Sequence, residues 1–231
     1  MKLLILFGIV VVSAFAAISD GEQTKQSSGT SKTAATQGKE SSDLAQFHVL
    51  FRDIRQEQAR GILSLKNVSN NKERIKVLKQ YIEQLSKEGE KAKREVESKE
   101  YSPRQHEIPQ KQSLKDAVSN IVKNTAFFCD AVVNFPKRLQ KEFEDNQKLR
   151  ELVTWGMDFA DKIDLYDDDT KKIVEIAKIE LGLLDRPEGF VNPYFKTKDQ
   201  KQRELYDEWE RKQDEKRAER KNSIKKDKTE L

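Results

Sequence analysis

Cysteine is nearly absent from this chain: Cys129 is the only one in 231 residues. No internal disulfide can form, so stability has to come from a packed core rather than from cross-links. Cys129 itself lies in an apolar stretch, AFFCDAVV, and reads as a buried, unreactive thiol. Histidine is almost as scarce. His48 sits beside an apolar helical stripe, and His106 lies between Pro103 and Pro109. Two histidines and one cysteine could hold structural zinc only with the help of carboxylates, which is uncommon. His-Glu-x-x-His, Cys-x-x-Cys and the nucleophile elbow are missing, as is any glycine-rich phosphate loop. The acidic run Asp161–Asp169 lacks the central glycine and closing glutamate of a calcium loop, so it reads as helix capping. These absences predict a protein with no catalytic residues, no metal and no cofactor.

Long apolar runs are also missing, except at the start. MKLLILFGIVVVSAFAA has one basic residue, Lys2, an apolar run from Leu3 to Val12, and Ala14-Phe15-Ala16 in the pattern of a cleavage site. The run is too short to span a bilayer, which takes about 20 apolar residues. Residues 1–16 are therefore expected to be a cleaved signal peptide, with no membrane insertion afterwards. Charge is abundant but balanced: 44 Lys and Arg against 40 Asp and Glu leave a net +4. The basic pairs Lys216-Arg217, Arg220-Lys221 and Lys225-Lys226 are diluted by acidic neighbours. They read as a solvated face, and nucleic acid is not an expected partner.

Residues 17–42 are rich in Ser, Thr, Gln, Gly and Lys and offer little to bury, as a disordered linker would. A helical domain is expected over 43–195. Leu44, Phe47, Phe51, Ile54, Ile62 and Leu65 recur at helical spacing and predict a helix from Asp43 to Lys66. After NVSNN, Asn70 and Glu73 resemble a capping box for a second helix striped by Ile75, Leu78, Ile82, Leu85, Ala92 and Val96. The short connection predicts an antiparallel hairpin of these two helices. A third helix is expected at Ser113, with Asp116 closing an approximate capping box. Its apolar face is broad enough for a central position. Pro136 suits the first turn of a short fourth helix carrying Leu139 and Phe143. A fifth is expected from Gln147 to Lys162. A sixth opens at Asp167-Asp168-Asp169-Thr170, with Gly182 or Gly189 and Pro187 closing it. No stretch alternates with period two, so the fold class is all-α with about six helices.

The tail, 196–231, is of mixed charge and reads as an exposed helix supported by pairs such as Glu208 with Lys212. Tyr206 and Trp209 have little core to join there and stand as candidate partner contacts. The last four residues, Lys228-Thr229-Glu230-Leu231, are one substitution from Lys-Asp-Glu-Leu and read as an endoplasmic reticulum retrieval signal. Asn67-Val68-Ser69 is a glycosylation sequon in the expected hairpin loop.

One block is specific. LKDAVSNIVKNTAFFCDAVVNFP, Leu114 to Pro136, carries Asn124, Thr125, Ala126, Phe127, Phe128, Asp130, Phe135 and Pro136. It resembles the signature stretch of the coiled-coil domain-containing protein 134 family. The resemblance continues through Trp155-Gly156, Glu180-Leu181-Gly182, Asn192-Pro193 before an aromatic residue, and the charged tail. Cys129 and the Thr229 variant depart from the family pattern. The resemblance implies a non-enzymatic helical protein of the endoplasmic reticulum lumen. It implies one partner, the chaperone endoplasmin; the C-terminal Lys228-Thr229-Glu230-Leu231 implies another, the retrieval receptor. The role the resemblance implies is support of endoplasmin, limiting that chaperone's excessive glycosylation and loss. A secreted helical regulator acting on a receptor or kinase pathway is the alternative. Phe127 and Phe128 read as core. Asn124, Thr125 and Asp130 either satisfy buried backbone or belong to a partner surface.

Overall fold

The computed structural model describes residues 32–197 and, in the tail, 200, 202–203, 205–213, 215 and 217. The expected signal peptide, most of the expected linker and the retrieval signal lie outside these residues. Among the described residues of the first unit the helices run in order: α1 Lys32–Lys66, α2 Asn71–Ser98, α3 Gln112–Asn134, α4 Pro136–Asp145, α5 Gln147–Ile163 and α6 Asp168–Glu180. Among the described residues there is no strand, and the fold is all-α. The chain divides into two units, one ending at Phe190 and one beginning at Val191. That boundary falls slightly before the expected end of the domain at residue 195.

Local signals explain most helix starts. The Asn70 side chain accepts from the Lys72 and Glu73 amides at the head of α2. Asn146 accepts from Leu149 N at 3.1 Å and opens α5. Asp167 accepts from Thr170 N at 2.8 Å and opens α6, the capping role expected for that acidic run. Pro136 takes the first turn of α4, where its missing N–H costs nothing. Gly182 ends the last helix with φ of +70°, a left-handed residue that lets Leu183 N reach back to Lys178 O.

Three expectations are corrected. First, α1 begins at Lys32, so the last part of the expected 17–42 linker is helical. An apolar stripe marks where a helix packs, not where it ends. Ala, Lys, Gln and Glu extend an anchored helix at one hydrogen bond per residue, without a new nucleus. Second, Ser113 does not cap α3. The helix starts one residue earlier, and Asp116 instead accepts from the Gln112 side chain at 2.7 Å. Third, α1 and α2 do not pair as a hairpin along their length. Both pack chiefly on α3.

The α3 helix is the centre of the first unit and touches all five other helices. Its run from Ala117 to Val133 is almost wholly buried, with Val122, Ala126, Phe128, Cys129, Val132 and Val133 fully enclosed. A helix with so broad an apolar face buries it only when neighbours pack on more than one side, the central position expected from the sequence. Burial pushes the Cys129 thiol well up, so it stays protonated and inert.

The long connection from α2 to α3 is held by one carboxylate. Asp164, left-handed at φ of 53°, accepts from Gln105 at 2.9 Å and pairs with Lys171 at 2.7 Å. His106 Nε2 lies 3.1 Å from the same carboxylate, and its amide donates to Ile163 O. The bonds from Lys171 and Gln105 hold the Asp164 carboxyl below its ordinary range. A depressed carboxylate stabilises the fold fully above its unfolded value, about 4. That contribution is lost as pH falls through the lower folded value. Asp164→Asn keeps a residue type that tolerates the left-handed backbone. Urea titrations between pH 6 and 2 should show a shallower acid decline for the variant than for the native chain. Parallel declines would mean that this carboxylate does not couple folding to pH.

Candidate functional site

The most connected side chain in the first unit is one the sequence pattern passed over. Arg55, on the inner side of α1, makes a two-pronged ion pair with Asp130 of α3. One nitrogen, Nη2, reaches Oδ1 at 3.0 Å, and Nη1 reaches Oδ2. Its Nε donates to Thr170 Oγ1 of α6 at 3.3 Å, and Nη1 also donates to Gln58 Oε1 at 2.7 Å. Gln58 in turn donates to Lys123 O at 2.9 Å. Alongside, the Tyr166 hydroxyl donates to Val122 O at 2.7 Å, and its ring stacks on Phe51 at 5.7 Å. Three helices thus meet on one guanidinium.

Burial pushes the Asp130 carboxyl up, and the Arg55 hydrogen bond and charge pull against it. For Arg55, burial acts downward, but its bonds to Asp130 win and the guanidinium is held more firmly charged. Asp130 is buried, and its carboxylate is taken up by the Arg55 side chain rather than by backbone groups. Its carbonyl accepts from Asn134 Nδ2 at 2.8 Å, and Lys66 at the end of α1 donates to Asn134 at 3.0 Å.

The other residues of the expected block divide by position. Ala126, Phe127 and Phe128 are core, with Tyr81 of α2 meeting Phe127 edge to face at 4.8 Å. Phe135 is half-buried at the α3–α4 corner, and Pro136 is buried. Asn124 and Thr125 converge with Trp155 and Gly156, from the second expected motif. These four line one cavity of about 30 Å³, together with Phe128 and Gly89 of α2. That is room for roughly one water-sized group, far below the several hundred Å³ of a small-molecule site. Trp155 is half-buried, with Lys93 Nζ 5.1 Å from its ring centre and Phe159 at 5.4 Å. A larger hollow of about 450 Å³ lies between α5 and α6. Four of its charged groups are already paired, Lys178 with Asp161 and Lys171 with Asp164.

In the second unit, Asn192 Oδ1 accepts from Tyr194 N at 2.9 Å, which sets the Asn192-Pro193 turn. The backbone of 205–213 is helical. The expected Glu208–Lys212 pair forms at 2.8 Å. Tyr206 and Trp209 are 60% and 56% exposed, their rings 5.9 Å apart, and Leu205 beside them is 67% exposed. Asn67 is exposed just beyond α1. The retrieval residues Lys228, Thr229, Glu230 and Leu231 fall outside the described residues. Among the described residues, no cluster of His, Cys, Asp or Glu is placed to hold a metal ion, and no helix is long and apolar enough to cross a membrane.

Arg55, Gln58, Thr170 and Tyr166 were missed from sequence. Gln58 carried a readable signal: it occupies a stripe position between Ile54 and Ile62, where an apolar residue would be the simple choice.

Among the described residues the first unit is all-helical and organised around one buried helix, α3. The chain belongs to the coiled-coil domain-containing protein 134 family, whose model, described as "ERK and JNK pathways, inhibitor", matches residues 32–229. It is similar to coiled-coil domain-containing protein 134 of Mus musculus, at 30% identity over 170 residues, 73% of each chain. The protein of the same name from Xenopus tropicalis is 32% identical over 88 residues, 38% of each chain. No solved structure matches significantly. Family membership places the chain among helical regulatory proteins.

Two packing predictions follow from this geometry. Replacing Arg55 or Asp130 alone by Leu leaves a buried charge unpaired and should cost about 3–5 kcal/mol. The double replacement should cost far less than the sum, measured by chemical denaturation. Additive losses would mean that the two groups are not coupled. At Gly156, a Cβ would lie 2.8 Å from Thr125 Oγ1, whereas at Gly89 it would meet the flexible end of Leu152 at 3.0 Å. Gly156→Ala should therefore lose about 1–3 kcal/mol through overpacking, and Thr125→Ala in the same chain should recover part of it. Gly89→Ala should be close to neutral, since the gain in helix propensity, about 1 kcal/mol, offsets the small shift of Leu152.

Proposed function

We propose that this protein is a non-enzymatic accessory protein of the endoplasmic reticulum lumen. In this reading it binds the chaperone endoplasmin and supports its biogenesis, limiting its excessive glycosylation and loss. The partner is the one implied by the family resemblance. The observation that carries a binding role is the tail: the family match runs through it to residue 229, and its helix presents Leu205, Tyr206 and Trp209 to solvent. Aromatic side chains of this kind supply much of the energy of protein interfaces. The first unit serves as a rigid body, and the tail adds contacts. Residues 1–16 give entry to the lumen. Lys228-Thr229-Glu230-Leu231 gives retrieval, its receptor reading the Leu231 carboxylate and the Glu230 side chain.

A second reading is favoured by the family description, which names ERK and JNK pathways. Here the protein is a secreted helical regulator acting on a receptor or kinase pathway. The two readings differ in where the protein accumulates and in what comes down with it. Precipitation of the full chain from a lumenal fraction should enrich endoplasmin, and Tyr206→Ala/Trp209→Ala should reduce that enrichment several-fold with the fold intact. No enrichment over a tail-deleted, lumenal control would sink the first reading. Bulk protein in the medium, with lowered ERK and JNK phosphorylation in cells exposed to it, would establish the second.

A further inference from the structure

The sequon Asn67-Val68-Ser69 is the only one in the chain, and the fold presents it in a particular way. Helix α1 ends at Lys66 and α2 begins at Asn71, so the tripeptide lies in the connection between them. Val68 points inward and packs half-buried against the core. Its amide donates to Leu65 O, and Arg74 Nη1 donates to its carbonyl at 3.4 Å. With the middle residue pinned from both sides, Asn67 and Ser69 are exposed on either side of it. The Asn67 amide donates to Leu63 O, so the backbone here is fixed by the end of α1 without using the asparagine side chain. The helix cap that follows is made by Asn70, not by Asn67 or Ser69. Neither acceptor residue is committed to the fold.

We infer that Asn67 is an N-glycosylation site of the folded protein. The inference rests on entry to the secretory lumen as proposed above. The donor is an oligosaccharide carried on a polyprenyl pyrophosphate. Asn67 Nδ2 forms a bond to the anomeric carbon, and the bond from that carbon to the pyrophosphate oxygen breaks. The polyprenyl pyrophosphate leaves with the electron pair, and one amide proton passes to a base of the transferase. The Ser69 hydroxyl, two residues on, is the group by which the transferase recognises the acceptor. Once attached, the glycan extends from an exposed turn, and no core side chain has to move to admit it. It covers the end of the first unit where α1 meets α2, close to the Lys66–Asn134 hydrogen bond. A protein partner would then have to approach elsewhere.

The test uses the full chain made in cultured animal cells, compared on gels before and after digestion with peptide N-glycosidase. One arm keeps the native first residues. A second arm replaces residues 1–16 with an unrelated cleavable signal sequence. The expected result in the second arm is a single-glycan shift that digestion removes, absent in Asn67→Gln and in Ser69→Ala and retained in Ser69→Thr. No shift in that arm, with the protein protected from added protease inside sealed membranes, overturns the inference and leaves the proposed localisation standing. A shift in the second arm but not in the first supports Asn67 as an acceptor and counts against lumenal entry by the native chain. In both arms the shifted band should also yield to endoglycosidase H if the protein is held in the endoplasmic reticulum.

Discussion

The guanidinium of Arg55 meets the carboxylate of Asp130 where neither charge could be buried alone. Desolvating an isolated ion costs several kcal/mol, and the pair recovers that cost only with good geometry and with its remaining donors and acceptors filled. Here the geometry is forked, and four of the five guanidinium N–H groups are used. Two parallel bonds join the groups, and Thr170 and Gln58 take further guanidinium hydrogens. An apolar pair of similar volume often gives as much stability. What it would not give is direction. Leucine packs in many registers, whereas a forked pair fits in one. The pair sets α1 at one rotation and one height on α3, and its Thr170 bond sets α6 against both.

That constraint clarifies why the most recognisable block of the sequence is the least accessible. Asn124 to Pro136 supplies α3 and its corner into α4, and α3 is surrounded. The block's polar members, Asn124, Thr125 and Asp130, are buried. Asp130 answers Arg55. Thr125 faces Gly156, where the absence of a side chain allows α5 to come within contact of α3. Gly89 does the same for Leu152 from the other side, so two glycines on two helices bring α2 and α5 to a common floor. The two motifs, separated by some twenty residues of chain, are one packing feature.

Much of the fold could be read from the sequence because its signals are local. Asn70, Asn146, Asp167 and Pro136 each act within three residues of themselves, and each sits where its chemistry required. Ser113 and Asp116 had the same local form and did not cap. A capping pattern states what a serine could do, and the helix had already begun at Gln112. The hairpin failed for a different reason. A short connection brings two chain ends together, but it does not choose which faces meet. The broad face of α3 competed for both helices and won. Arg55 and Asp130 are 75 residues apart, and no periodicity joins them. Only Gln58, polar within an apolar stripe, hinted that the inner side of α1 was not purely hydrophobic.

In the second unit the exposed pairs Glu208–Lys212 and Arg211–Glu215 hold successive turns, but solvent-exposed pairs of this kind contribute little. A helix held that way is marginal by itself, and Leu205, Tyr206 and Trp209 lie exposed on it. A segment that orders only on binding has to offset the entropy of that ordering, so its affinity per unit area is low. Such energetics suit transient contact. They suit a permanent subunit poorly, since that would need a large apolar interface already formed before contact.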